Sequence, residues 1–201
     1  MGVTGGQIPV DPGDVATIVT TLTMTRRPPL RPLPASPFTL THWPAPDPAK
    51  YRTLFRRIGA PWLWYSRLAM DDAALTAIIH DRHVAVHAVI DPRGIEVGML
   101  ELDHRRAGTC EIAYFGLIPE LAGKGHGRWL MAEAMARAWL PGVASIGVAT
   151  CTLDHPSALG FYRAQGFAVV KRTIETFPDP RRLGLLPEDA APPIPYLASR
   201  R

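Results

Sequence analysis

Glu111-Ile112-Ala113-Tyr114-Phe115-Gly116-Leu117-Ile118-Pro119-Glu120-Leu121-Ala122-Gly123-Lys124-Gly125-His126-Gly127-Arg128 runs from a β-rich segment through a proline into alternating glycines and then a helix. The helix, placed at 127–140, carries Leu130, Met131, Ala134, Met135 and Trp139 at helical spacing and is closed by Pro141-Gly142. A helix start leaves N–H groups unpaired at the positive end of its dipole, and glycines let an anion approach the backbone. Gly123-Lys124-Gly125-His126-Gly127 therefore reads as a pyrophosphate cradle, favoured over an ordinary glycine turn by the strand before it and the helix after it. Two other phosphate loops fail on inspection. A P-loop needs four residues between its first glycine and Gly-Lys-Ser/Thr, whereas Gly123-Lys124 is followed by Gly125. A dinucleotide fingerprint needs a third glycine where Leu130 stands and opens a parallel βαβ unit.

Ahead of the cradle, runs at 84–90, 95–102 and 110–118 are joined by Pro92-Arg93-Gly94 and Arg106-Ala107-Gly108, the pattern of an antiparallel meander. Before them, Asp47-Pro48 supplies a cap and an N1 proline for a helix running to 58 and stopping at Gly59, and Asp71 or Asp72 opens a second helix to 79. The segment 15–24 has the β-branched content of a strand and 38–43 alternates like a short one, while eight prolines between Pro28 and Pro48 exclude a helix there. After the cradle helix come a buried strand at 146–153, a short helix at 156–165 ending on Gly166, and a strand at 167–176. There is no internal repeat.

With 201 residues, 47% of them hydrophobic, the chain is long enough for one core, and length favours one domain. The reading is a single domain over 1–178, in which 1–36 is an N-terminal extension with one strand, followed by a Pro-rich tail over 179–201. The net charge is +4, but part of the excess sits in Arg26-Arg27, Arg31, Arg181-Arg182 and Arg200-Arg201, with no basic stripe interleaved with aromatics. Nucleic-acid binding is not indicated, though a mildly positive surface suits an anionic cofactor. Cys110 and Cys151 lack both zinc spacing and the density of a disulfide scaffold, and read as reduced core thiols. The start of the chain reads as neither a signal peptide nor a membrane span, and Gly6 stands where a myristoylation motif needs Ser or Thr. A cytoplasmic, membrane-free protein is expected, and the unaccounted sheet edge and tail are compatible with a homodimer.

Strand, proline, glycine turn and helix together resemble the GNAT superfamily of acetyl-CoA-dependent N-acetyltransferases, whose signature Gln/Arg-x-x-Gly-x-Gly/Ala falls here on Ala122-Gly123-Lys124-Gly125-His126-Gly127. Ala122 replaces the usual Gln or Arg, which removes a side chain and leaves the backbone donors. A second match, Leu153 to Phe167 with Tyr162-Arg163-Ala164-Gln165-Gly166-Phe167 at its end, resembles the family's Asn-x-x-Ala-x-x-x-Tyr-x-x-x-Gly-Phe, with His155 in place of Asn. The resemblance spans about residues 38–176. It implies an α/β fold, a mixed sheet of about seven strands with helices on both faces and a central splay between two parallel strands, at 110–118 and 146–153.

The resemblance also assigns roles. Acetyl-CoA would lie with its pyrophosphate at Ala122 to Arg128, without a metal. Its pantetheine arm would pair with the backbone of Phe115 and Leu117 and approach His155, and the Leu117 N–H would polarise the acetyl carbonyl. Tyr162 would protonate the leaving sulfur, unless it merely packs a helix face. Amine acetylation needs a base, because the ammonium form has no lone pair. Glu111 stands as far ahead of the glycine turn as the glutamate of the histone acetyltransferases, and apolar neighbours suit a raised pKa. The alternative is a strand glutamate paired with an arginine such as Arg105. Strand parity would put Glu111, Phe115 and Leu117 on one face. In other branches the base sits at the position of Thr150, which cannot serve. Trp62, Trp64 and Tyr65, followed by Arg67, fall in the loop that lines the acceptor side in this family, and suit a small apolar or aromatic amine bearing a carboxylate; the rings could equally pack the loop onto the core. His80, His83, His87 and His104 have no metal-like spacing and read as surface or sheet residues. A small-molecule primary amine is the expected acceptor, with a peptide or protein N-acetyltransferase and a non-catalytic CoA-binding module as alternatives.

Overall fold

A computed structural model describes residues 5–29 and 32–198. The first four residues of the loose start, Arg31, Arg200 and Arg201 therefore fall outside the described residues. The elements are β1 (Asp14–Met24), β2 (Thr39–Trp43), α1 (Pro48–Gly59), α2 (Asp72–Ile79), β3 (Val84–Ile90), β4 (Glu96–Asp103), β5 (Thr109–Leu117), α3 (His126–Ala138), β6 (Ser145–Cys151), α4 (Ala158–Ala164) and β7 (Ala168–Pro178). Local chemistry sets most boundaries. The Asp47 carboxylate accepts from the amides of Ala49 and Lys50 (2.9 and 3.0 Å) to start α1, and Asp71 accepts from Ala74 (2.7 Å) to start α2. α3 stops at Ala138, two residues before the expected end, because Trp139 already leaves helical geometry on the way to Pro141-Gly142.

The strands form one mixed sheet in the order β2-β3-β4-β5-β6-β1-β7, with β5 and β6 parallel and every other neighbour antiparallel. This is the expected architecture with one change of emphasis. β1, the strand of the N-terminal extension, is interior: Val19 pairs with Cys151 of β6 on one side and Thr173 of β7 on the other. α1 and α2 cover one face, where Tyr51, Phe55 and Ile58 are buried along with Met99 of β4. α3 covers the other, burying Leu130, Met131 and Ala134 beside the sheet's Leu100, Leu102, Ile112, Ile146 and Val148. All of these residues belong to one hydrophobic cluster.

The Pro-rich tail is organised around Arg181, which is 4% exposed. Its guanidinium pairs with Asp179 (2.7 Å) and donates to the carbonyls of Ala190 (3.1 Å), Ile194 (3.0 Å) and Pro195 (3.1 Å). Carbonyls 13 and 14 residues away thereby converge on one cation. The Asp179 amide donates to Gly13 O (3.0 Å), so the hub is stitched to the start of β1.

On the α3 face His87 is 6% exposed beside His42, with ring centroids 5.1 Å apart. Burial first, then the charges of His42 and Arg137, lower its pKa to about 4. A lowered folded-state value means that the unfolded chain takes up a proton which the folded chain refuses. Stability is then fully present above the unfolded value near 6.5 and falls as pH drops toward 4, by on the order of 3 kcal/mol. Urea unfolding of the protein and of His87→Phe across that window is expected to show a flatter pH dependence for the variant.

Candidate active site

The cleft begins where two strands part. β5 and β6 pair in parallel only from Thr109↔Ser145 to Ile112↔Val148, and from Ala113 and Ala149 onward they separate. On its other side β5 continues along β4 to Gly98↔Leu117, with a β-bulge that leaves Ala113 without a partner between Ile112 and Tyr114. The Ile118 amide donates to Val97 O of β4 (2.9 Å). Alternation along an extended strand then turns the N–H and C=O of Phe115 and Leu117 away from β4 and into the split. These are unpaired donors and acceptors lining a cleft of about 530 Å³.

At one mouth of this cleft the glycine turn leads into α3. Gly123 and Gly125 adopt left-handed backbone (φ 73° and 83°), which glycine reaches without a side-chain penalty, and Gly125 is the N-cap of α3. No side chain caps this helix start. The Arg128 amide is used by Gly125 O (3.1 Å), leaving the first-turn amides of His126 and Gly127 for an anion. Ala122, Gly123, Gly125, Gly127 and Arg128 line the cleft, whereas Lys124 and His126 do not. The His126 ring packs edge-on against Phe38 (4.8 Å), so its side chain anchors the helix start. His155 lines the cleft, with Nδ1 engaged by Ser157 (2.8 Å to the hydroxyl) and its ring edge-on to Trp62.

Tyr162 of α4 is 7% exposed, reaches the cleft and sits among Phe115, Phe161 and Phe167. Burial, then the nearby Asp154 charge, pushes its phenol well above the usual range, so it keeps its proton. The bulge at Ala113 overturns the expected parity. Glu111 faces Asp103 and Tyr114 faces Glu101, so Glu111 shares the α1 face with Tyr114, while Ile112, Phe115 and Leu117 share the other. Glu111 is not among the cleft-lining residues. Its carboxylate lies over Gly147 of β6, where a Cβ would overlap Oε2. Gly147 is two residues, about 6.6 Å, before the cleft-lining Ala149. Although the residue is exposed overall, loss of hydration at the carboxyl, then Asp103, raises its pKa against the pull of Arg106. Arg105, the alternative partner, is paired with Asp103 instead (2.5 Å).

In the loop after α1, Trp62, Trp64 and Tyr65 all line the cleft, and the buried Leu63 between them is held at left-handed φ 53°. Trp64 donates from Nε1 to Asp154 Oδ1 (3.2 Å), and the other Asp154 oxygen accepts from Thr150 Oγ1 (2.8 Å) and the Cys151 amide (2.9 Å). Asp154 thus clamps the aromatic loop to the end of β6, and Thr150 serves as its donor. Tyr65 stacks on Phe177 of β7 (4.5 Å, 18°). Arg67 is not available to an acceptor. It is 8% exposed, bonds Glu101 Oε1 (2.6 Å) and stacks over Tyr114, because the fully buried Glu101 requires a cation. Tyr51 completes the network by donating to the second Glu101 oxygen (2.5 Å). Asp154, Tyr114, Thr17, Val19 and Glu175 are cleft residues that the sequence reading did not single out. Only Asp154 had a local cue, in the turn-forming Asp154-His155-Pro156.

Solved acetyltransferases share this fold. The GCN5-related N-acetyltransferase from Sphaerobacter thermophilus superposes with a TM-score of 0.55 at 19% identity, over 81% of this chain and 51% of that one. An acetyltransferase from Thermus thermophilus gives 0.51 at 19%, over 70% and 96%, and an IAA acetyltransferase from Bacillus cereus gives 0.50 at 19%, over 67% and 79%. The chain spans about half the length of the Sphaerobacter protein. No curated protein matches it. The profile of the acetyltransferase (GNAT) family matches residues 41–167, and the chain belongs to that family. β1, with Thr17 and Val19 in the cleft, lies outside the matched span. Among the described residues no group of His, Cys, Asp and Glu could hold a metal, and no helix is long and apolar enough to cross a membrane.

The assignment of Arg67 to the buried network makes a stability prediction. Arg67→Met strands Glu101, and chemical denaturation is expected to show a loss of about 3–5 kcal/mol. Adding Glu101→Gln should recover much of it. An acceptor-binding Arg67 would instead leave stability untouched.

Proposed function

We propose that the chain is an N-acetyltransferase that moves an acetyl group from acetyl-CoA to a primary amine of a small molecule, by direct transfer in a ternary complex. The observation that carries this reading is the unzipping of β5 from β6 after Ile112, with an uncapped helix start at the mouth of the split. The free backbone of Phe115 and Leu117 suits an amide-bearing arm, and the amides of His126 and Gly127 suit a pyrophosphate. The co-substrate supplies a thioester as acyl donor. The Leu117 N–H donates to the carbonyl oxygen as it gains charge. Tyr162, kept protonated, gives its proton to the departing sulfur. Glu111 takes the proton from the amine through a water spanning the gap from Gly147 to the cleft. An aromatic-lined cleft bridged by Trp64 and Asp154 favours a small molecule over a peptide.

Titration of the protein with acetyl-CoA tests the cradle. Gly125→Val, which forces a β-branched residue to positive φ where the anion approaches, is expected to raise the dissociation constant at least tenfold, about 1.4 kcal/mol. An unchanged constant removes this loop from the site.

Free-thiol release with a panel of amines tests the chemistry. Glu111→Gln is expected to lower the rate about 10²- to 10⁴-fold. Because the base must be ionised and its pKa is raised, activity should fall with decreasing pH at a value above the ordinary glutamate range, and the variant should lack that limb. An acetyl group trapped on Cys110 or Cys151 would contradict direct transfer. Tight CoA binding with no turnover would favour a binding module.

A further inference from the structure

The charged residues lining the cleft, among those described, are Arg128, Asp154 and Glu175. Arg128 belongs to the helix start at the phosphate mouth. Both oxygens of Asp154 are occupied by Trp64, Thr150 and Cys151. Glu175 is different: it is exposed and has no hydrogen bond or ion pair among the described residues. It pairs in register with Thr17, which shares its face of the sheet, and stands two residues from Phe177 on the same face of β7, beside the Tyr65–Phe177 stack. The nearest cation on that face of the strand is Lys171, four residues or about 13 Å away. With Arg67 sequestered by Glu101, the acceptor end therefore presents a free carboxylate, aromatic walls and no free cation among the described residues.

We propose that Glu175 anchors a second positive charge of the acceptor, so that the enzyme selects elongated diamines or polyamines over monoamines and over amines bearing a carboxylate. This rests on the reading of the cleft as an amine acetylation site, and replaces the carboxylate-bearing acceptor suggested by the sequence. Distance separates the anchor from the chemistry. Cys151, level with Val19, is two strand spacings across the sheet from Glu175 and two residues along it, on the order of 12 Å. Glu175 is thus too far from the split to hold the reacting nitrogen, and suitably placed for an ammonium at the far end of a chain molecule. A carboxylate next to ring faces favours such a cation twice, through charge and through the ring quadrupole. Apolar lining from Trp62 and Val19 suits the methylene segment between the two nitrogens.

The test compares three acceptors of equal chain length with saturating acetyl-CoA: α,ω-diaminooctane, octylamine and ω-aminooctanoate. The diamine is expected to have a KM at least tenfold below the other two, weakening with added salt. Glu175→Gln should erase that advantage while leaving acetyl-CoA affinity unchanged. Equal KM values for the three, a preference for the amino acid, or an undiminished diamine preference in Glu175→Gln would overturn the anchor. If none of the three is acetylated, the proposed transferase activity fails with them, and the anchor is judged separately by calorimetric titration of diaminooctane into the CoA-saturated protein. Binding that weakens at least tenfold in Glu175→Gln supports it; no binding, or binding indifferent to the substitution, sinks it.

Discussion

The parting of β5 from β6 is the constraint on which the rest depends. Four residue pairs hold the two strands together, and beyond them each strand must find other support for its backbone polar groups. β5 keeps its ladder to β4, with the bulge at Ala113 absorbing the change of direction. β6 keeps its ladder to β1, and its free end is tied down through Asp154, which collects donors from Thr150, Cys151 and Trp64. Groups left unpaired inside the split would cost free energy if buried dry, so the split must stay hydrated or be filled. A family that binds an amide-bearing thioester has a use for such a gap.

β1 makes that arrangement possible. Were it absent, β6 would become an open edge, β7 would lose its only partner strand, and the far wall of the cleft would lose Thr17 and Val19. It is held at its start by the Arg181 hub, where a buried ion pair gathers three distant carbonyls and docks against Gly13. β1 and β7, both outside the span matched by the family profile, thus complete one sheet.

The aromatic wall of the cleft has its own hidden support. Glu101, Arg67, Tyr51 and Tyr114 form a buried polar network behind the aromatic loop, and Ser66 hydrogen bonds Tyr114 from the loop itself. Burial disfavours the charge on Arg67, but Glu101 outweighs it and holds the guanidinium protonated. A buried pair of this kind constrains where the loop can sit more than it adds net stability.

Most element boundaries could be read from the chain alone, because caps, prolines and glycines act on neighbours within a few residues. Asp47-Pro48 and Gly59 bracket α1, and Asp71 starts α2, through bonds that span two or three positions. The glycine turn and the helix after it were legible for the same reason. Three things were not. The place of β1 between β6 and β7 depends on pairing across more than a hundred residues. The bulge at Ala113, set by register against β4, turned Glu111 to the face opposite Phe115. The fate of Arg67 depended on Glu101, 34 residues away, being buried without another cation. Sequence determines what each segment prefers locally; which face a side chain takes, and which charge it meets, is decided only when distant strands settle their register and the buried charges must be matched.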